Sequence, residues 1–514
     1  MWGWRSGRTI AVGGAIGAFA LFCVSPLAYM VAVSLTEPGH GASPYRELLL
    51  DSRQRALLYN TAVLGVGTAL TATLVGVPLG VALARVVLPF KTGLRILLAA
   101  PALLPSYVVA LAWLNLWEWT WMRSLPGAVA VLTAGLYPLS MLMTEAAVRG
   151  IEPRLEEAAA LAAGPGRVLS RIILPLVMPS VLAAALVIFV LAVSDFGVPA
   201  LLRVRVFTTE IFTAFAALYD FGRATALAVP LLLLALFVAL LSVRLTGGRL
   251  VATGRGLTGG EPQTFAGWRP AAAGAMACVM LCALFLPIAL LVIQARHLSS
   301  WMSLMTGSRD AIRNSLALAT LGATVVCALA FWLAYARGRA RSSFGAVADV
   351  GFIVLFAVPG TIVGVSLIGL WNRAGVAGAI YATSGMFVLV YLARFTPLAA
   401  LALSASVRRV PSSHEEAAAV SGASWFRTVT RIVLPQMKLG LLSVWVVVFT
   451  LAFGELGASI LVTPPGESTL PIRIYTLIAN APPAQVAALA LVQVAVIFCP
   501  LALLGFGLAA GRRW

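Results

Sequence analysis

The sequence predicts an all-α integral membrane protein of about twelve transmembrane helices, arranged as two parallel repeats of six. Three observations lead there. The chain has 514 residues, 61% hydrophobic and only 11% charged, with a mean hydropathy of +0.98. Apolar runs recur that reach the ~20 residues a helix needs to cross the hydrocarbon core. One stretch also occurs twice. Residues 156–175 open with Glu156-Glu157-Ala158-Ala159, pass Ala163-Gly164 and end at Leu174-Pro175. Residues 415–435 open with Glu415-Glu416-Ala417-Ala418, pass Gly422 and end at Leu434-Pro435. Each copy reads as an Ala-rich helix opened by acids, a Gly break, a second helical piece carrying Arg, and a Pro stop.

The expected spans run roughly 10–34, 58–84, 96–116, 127–148, 176–202, 224–243, 270–293, 312–336, 347–371, 376–403, 438–463 and 484–510. The first apolar run is long enough to span, so it reads as an uncleaved helix and not a signal peptide. With the N-terminus inside, most of the 36 Lys and Arg fall on one side, among them Arg85, Arg95, Arg149, Arg171, Arg244, Arg339, Arg408, Arg431 and Arg513. That bias places both Glu-Glu-Ala-Ala stretches and both termini in the cytoplasm. The net charge of +18 is thereby absorbed by membrane topology, which excludes a nucleic-acid partner and leaves lipid as the surrounding one.

The repeat extends well beyond the loop. Asn60-Thr61 answers Asn314-Ser315, Pro105 answers Pro359 and Trp117 answers Trp371, each 254 positions apart. Asp195-Phe196-Gly197 answers Glu455-Leu456-Gly457 at 260, while the Glu pairs stand 259 apart. The first copy of the loop is thus one residue short near Ala163-Gly164. Six spans per half is an even number, so both halves insert the same way up. The organisation is a first repeat over 1–243, a Gly-rich cytoplasmic linker over 244–269 and a second repeat over 270–514.

No energy source lies within the chain. A phosphate loop needs Gly-x-x-x-x-Gly-Lys-Ser/Thr, and neither lysine, Lys91 or Lys438, ends such a run. His40, His297 and His414 are scattered and form no triad or metal cluster. Cys23, Cys278, Cys282, Cys327 and Cys499 lie in apolar segments with no further ligand to complete a zinc site. The chain is therefore expected to be no enzyme, with neither cofactor nor metal of its own.

Asp195 and Glu455 fall near the outer ends of the fifth and eleventh spans. An ionised group deep in a span costs roughly 2.5–3.5 kcal/mol on insertion scales, which marks such residues as functional. Two readings stand: the pair lines a path between the halves, or each caps a helix end. Asn60 and Asn314 open the second and eighth spans, either as helix N-caps or as path residues. Arg394, inside the tenth span, is expected to snorkel toward the cytoplasm. Tyr107 with Trp113, Trp117, Trp119 and Trp121 reads as an interfacial belt.

The doubled Glu-Ala-Ala…Gly…Ile-x-Leu-Pro pattern resembles the coupling loop of permease subunits of binding-protein-dependent ABC importers. The second copy fits the spacing through Glu416-Ala417-Ala418, Gly422 and Ile432-x-Leu434-Pro435. In the first, Ala163 or Gly164 takes the Gly place, and either Glu156 or Glu157 is the equivalent acid. The resemblance covers nearly the whole chain, each half resembling one permease subunit. It implies two ATPase subunits carrying ATP and Mg, docked on Glu156–Ala159, Gly164 and Pro175 and on Glu415–Ala418, Gly422 and Pro435. It also implies a separate extracytoplasmic substrate-binding protein. The runs around Asp195 and Glu455 look most like the ferric-iron group, with thiamine, polyamine and phosphonate importers as alternatives. A secondary transporter of the major-facilitator type also has twelve spans in two halves, but its acid-and-Arg signature is missing from residues 85–95.

Overall fold

The computed structural model describes residues 2–36, 51–114, 120–246, 265–339 and 342–511. Most of the linker expected over 244–269, most of the 35–57 loop, His40, Trp117 and Trp119 lie outside them. Among the described residues there is no strand, and nine helices are long and apolar enough to cross a bilayer. Three further bent helix pairs bring the spans to twelve.

The bends fall where proline or a small residue breaks the ladder. The third span is Lys91–Leu103 followed by Ser106–Leu114, turned by 83° at Leu104-Pro105. The ninth is Val347–Phe356 followed by Gly360–Trp371, turned by 95° before Pro359-Gly360. A proline lacks the N–H and clashes with the carbonyl four residues back, so continuous spans over 96–116 and 347–371 are corrected to broken ones. The fifth span stops at Ser194 and restarts as Gly197–Leu202. The eleventh stops at Phe453 and restarts as Ser459–Val462. The tenth starts at Gly385 and runs to Arg409, leaving Val376–Tyr381 as a separate short helix.

A gentler use of proline recurs. Wide π-type turns at Ala20–Val24, Leu169–Ile173, Leu281–Phe285 and Val429–Val433 each come just before an X-Pro pair, at Pro26, Pro175, Pro287 and Pro435. Widening the ladder by one residue keeps the X residue's N–H bonded, for example Leu174 to Leu169 and Leu434 to Val429. At Pro26, Pro175 and Pro287 the span passes the proline as one helix, whereas the eleventh span turns by 74° just after Pro435, between Gln436 and Lys438.

Each half is built on one close helix pair. Gly76 and Gly80 on the second span face the fourth so closely that a Cβ at Gly80 would sit 2.5 Å from the Met141 carbonyl, and one at Gly76 2.7 Å from that of Tyr137. The equivalent positions of the eighth span are Ala330 and Ala334, both fully buried. Small residues four apart let spans approach where no hydrophobic effect drives them together.

The first span of each half is exchanged. Helix Trp2–Phe19 and its continuation Ser25–Thr36 pack on the eighth, ninth and tenth spans, and Cys23 Sγ donates to the Leu392 carbonyl at 3.5 Å. The seventh span, Arg269–Ala295, packs on the second, third and fourth as well as on the twelfth, with Gln294 donating to the Ala112 carbonyl at 3.1 Å.

Gly80→Val should cost about 1–3 kcal/mol through overpacking and lower the melting temperature of detergent-purified protein. Gly135→Ala, where a Cβ meets nothing within 4 Å, should leave it unchanged. Equal melting of both variants would show that the close crossing does not hold the half together.

Candidate functional site

The duplicated loops form short helices, Pro153–Ala162 and Ser412–Val420, at one end of the bundle. In each, the first acid of the pair points inward. Arg85, at the end of the second span, grips the fully buried Glu156 through Nε at 2.7 Å and Nη2 at 2.5 Å, and also donates to the Val148 carbonyl at 2.6 Å. Arg339, 254 residues on, holds Glu415 with Nε at 2.8 Å and Nη2, both on Oε1, and also donates to the Val410 carbonyl at 3.0 Å. Tyr335 adds its hydroxyl to Glu415 at 2.7 Å and in turn accepts from Trp425 Nε1 at 3.1 Å. Glu157 and Glu416 are exposed. Glu156 is thus the partner of Glu415, and Glu157 that of Glu416. The sequence carried a signal for these arginines, since the repeat offset lays Arg85 on Arg339; as topology markers alone they hid their partners.

The outward faces carry Glu157, Ala158 and Leu161 in the first helix and Glu416, Ala417 and Val420 in the second. Leu161 and Val420 occupy equivalent places and are 92% and 91% exposed. Ala159 is half-buried and Ala418 buried. Gly422 has φ +77 and closes the second helix, its N–H bonding the Ala419 carbonyl and that of Ala423 the Ala418 carbonyl. This left-handed stop suits glycine alone without strain. The first loop, one residue shorter, has no such stop: Ala163 is extended and Gly164 has φ −67. Pro175 and Pro435 follow the π-type turns that lead into the fifth and eleventh spans.

Toward the other end of the bundle, Asp195 and Glu455 sit in the breaks of the fifth and eleventh spans. Asp195 Oδ1 accepts from the Val198 N–H at 2.8 Å, and Glu455 Oε1 from the Ala458 N–H at 2.7 Å. Each therefore caps the short helix that follows, and the two breaks also meet. A Cβ on Gly457 would lie 3.4 Å from that of Phe196, and one on Gly454 2.9 Å from Pro105. The capping reading holds as geometry, and both acids stand where the two halves meet. The remaining carboxylate oxygens differ: Asp195 Oδ2 takes the Ser106 hydroxyl at 2.5 Å, Glu455 Oε2 the Arg394 guanidinium at 2.7 Å. Arg394 is thus turned into the seam and does not snorkel to the cytoplasm. Tyr107 is also corrected. It is 2% exposed and donates to Gln493 Oε1 at 2.5 Å across the seam, outside any interfacial belt. Trp121 is exposed and Trp113 half-buried.

Asn60 and Asn314 do not cap their own helices. The second span begins at Ser52, capped by Asp51, which accepts from Arg53 N at 2.9 Å. Asn60 Nδ2 instead donates to the Arg205 carbonyl at 3.0 Å, and the neighbouring Thr61 Oγ1 accepts from Phe207 N at 3.1 Å. Asn314 Nδ2 reaches Glu467 Oε2 at 2.8 Å, and Ser315 Oγ accepts from Leu470 N at 2.6 Å. The duplicated Asn-Thr/Ser pair clamps the start of the outer helices Phe207–Ala216 and Leu470–Asn480. Thr208 Oγ1 ties the first of these to the Asp195 carbonyl at 3.0 Å. Among the described residues no group of three His, Cys, Asp or Glu is placed to hold a metal ion.

The chain is similar in sequence to known proteins. The chain is 26% identical over 448 residues to the Fe(3+)-transport system permease protein FbpB 2 of Haemophilus influenzae, covering 84% of this chain and 85% of that one. It is 25% identical to a putative ferric transport system permease protein, FbpB 1, of the same organism, over 70% of this chain and 58% of that one. A putative 2-aminoethylphosphonate transport system permease protein of Salmonella paratyphi A is 27% identical over 45% of this chain and 92% of its own length. One family matches twice, at residues 76–247 and 326–510, once in each half and beginning after the exchanged first spans. The chain belongs to the family of binding-protein-dependent transport system inner membrane components, as two such components joined in one polypeptide.

Proposed function

We propose that this chain forms the translocation path of an ATP-driven importer for ferric iron, with both termini and both duplicated loops in the cytoplasm. The observation that carries the reading is the pair of loop helices. Each exposes a small-residue face with one apolar side chain, Leu161 or Val420, and each is bolted to a long span by a buried Arg–Glu pair. A rigid mount of this kind passes a push on the helix directly to the second or eighth span. Two ATPase subunits, which supply ATP and Mg, are the partners for these faces, and an extracytoplasmic binding protein delivers cargo to the opposite side. The path is the seam at Asp195 and Glu455, where carboxylates offer hard oxygen ligands to a trivalent cation. Ferric iron is favoured because the ferric-type relative matches across both halves. The phosphonate-type relative matches one half and makes 2-aminoethylphosphonate the second reading. Uptake of radiolabelled ferric citrate against radiolabelled 2-aminoethylphosphonate, in cells expressing the chain with the transporter genes beside it, separates them. Phosphonate uptake without iron uptake would reject the iron reading.

Leu161→Ala and Val420→Ala should leave melting unchanged. Each removes an apolar contact worth roughly 1.5–3 kcal/mol when buried, so co-purification with the ATPase should weaken about tenfold or more per site. Full retention of the ATPase by the double variant would remove these faces from the docking surface.

Glu156→Gln leaves Arg85 buried without its counter-ion and should cost about 3–5 kcal/mol, seen as a large fall in melting temperature. Glu157→Gln, on the exposed face, should melt as wild type. Similar melting of the two would mean the buried pair does not brace the loop.

Gly422→Val forces a branched side chain into left-handed backbone, a strain of roughly 1–2 kcal/mol, and should stop uptake in protein that still reaches the membrane. Gly164→Val, at φ −67 with open space around it, should transport. Normal uptake by well-expressed Gly422→Val would refute a role for the loop in transport.

A further inference from the structure

The two halves repeat the break in the fifth and eleventh spans but not the charge around it. The third-span residue beside Asp195 is Ser106, and its equivalent 254 residues on is Gly360. Gly360 has no side chain to offer Glu455. Its space is taken by the Arg394 guanidinium, so that a Cβ there would lie 1.9 Å from Nη1. Arg394 in turn stands where the first half has Gly135, by the register that aligns Pro138 with Pro397. Two coupled exchanges, Ser to Gly and Gly to Arg, thus put one positive charge into the second half alone.

Both acids cap their short helices through one oxygen, so that duty is common to the two halves. The other oxygen decides the charge left over. Arg394 compensates Glu455 at 2.7 Å, whereas Asp195 has a neutral hydroxyl at 2.5 Å and forms no ion pair among the described residues. Asp195 lies within electrostatic reach of both members of the Arg394–Glu455 pair. With both carboxylates ionised, the seam holds three charges that sum to one negative, localised on the first half's side.

Building on the reading of this seam as the path, we propose that Arg394 is a positioning residue. It holds Glu455 as a neutralised helix cap and leaves Asp195 as the one uncompensated charge, which selects cationic cargo. The two carboxylates, equivalent by repeat, then have different duties. Glu455 closes a hinge. Asp195 meets the cargo.

Gly457 provides a sensor position. A Cβ there makes ordinary contact with Phe196 and lies 3.8 Å from Glu455 Oε1 and 3.9 Å from Arg394 Nη1. Gly457→Cys is made in a chain freed of its five native cysteines and assembled with its ATPase and binding protein. It is then reacted with a cationic trimethylammonium-ethyl and an anionic sulfonatoethyl methanethiosulfonate of similar size. The cationic reagent should react faster by roughly fivefold or more, the scale of one unit charge a few ångströms away. Asp195→Asn should abolish that preference. Arg394→Gln alone should increase it, and Arg394→Lys should restore it. The double variant Arg394→Gln/Glu455→Gln should keep the wild-type ratio, because the pair sums to zero and Gln retains an oxygen for the Ala458 N–H. Pairing Gly360→Ser with Arg394→Gly rebuilds the first-half arrangement and should raise the preference further, and it guards against misfolding of the single variants.

Ferric citrate uptake should fall about tenfold in Asp195→Asn. A reagent ratio that shifts as much in the pair-deleted variant as in Asp195→Asn would overturn the inference while leaving the path reading intact. A cysteine at 457 that neither reagent reaches, with or without ATP, would overturn both.

Discussion

A chain that crosses hydrocarbon cannot leave backbone N–H groups bare, and a bundle with so many interruptions must close each one locally. Here the closing groups are few and repeated. Asp195 and Glu455 receive the first N–H groups of the short helices after the fifth- and eleventh-span breaks. Thr61 and Ser315 receive those of the two outer helices, from spans remote in sequence. Where proline would have cost a bond, a wide turn shifts the ladder by one residue and keeps it. The breaks of the fifth and eleventh spans exist because each has such a partner. The residues that look functional by charge are first of all the ones that let the breaks exist.

The same economy explains why the halves differ where they do. At the loop end the second half has Trp425 and Tyr335 completing the Glu415 cluster, and the loop ends in a left-handed glycine. The first half relies on Arg85 and Glu156 with a shorter extended exit. At the seam the exchange of Ser106 for Gly360 makes sense only beside Arg394. Within one polypeptide the two repeats are free to diverge in charge while keeping the backbone they share.

Much of this was legible in the sequence. Hydropathy fixes the number and rough limits of the spans, and the constant offsets between Asn60 and Asn314, Pro105 and Pro359 and the Glu pairs mark the repeat. The doubled loop pointed to the family. What escaped was decided by contacts distant along the chain. Nothing local tells that Glu156 is buried and Glu157 exposed until Arg85 is brought against the loop. Asn60 looks like a cap for its own helix, since its real partner lies 145 residues away. Arg394 on a hydropathy plot is a stray charge bound for the headgroups. Only the void left at Gly360 gives it a place. Offsets that reveal a repeat also reveal where the repeat fails, and Ser106 against Gly360 is the failure with the most chemistry in it.

The exchange of first spans bears on how the molecule comes to exist. The helix at Trp2–Thr36 finds most of its neighbours on spans of the second half, as the bond from Cys23 to Leu392, 369 residues apart, attests. During synthesis its packing is completed in stages, against the sixth span and then against the eighth, ninth and tenth as they are inserted. The seventh span meets a mixed situation, since the second, third and fourth spans are already in place while the twelfth, its most extensive neighbour, is still to come. The halves are interlaced like clasped hands, so cutting the connection between them would not release two finished units. Joining them in a single polypeptide guarantees that each helix arrives with its one proper mate in a one-to-one ratio.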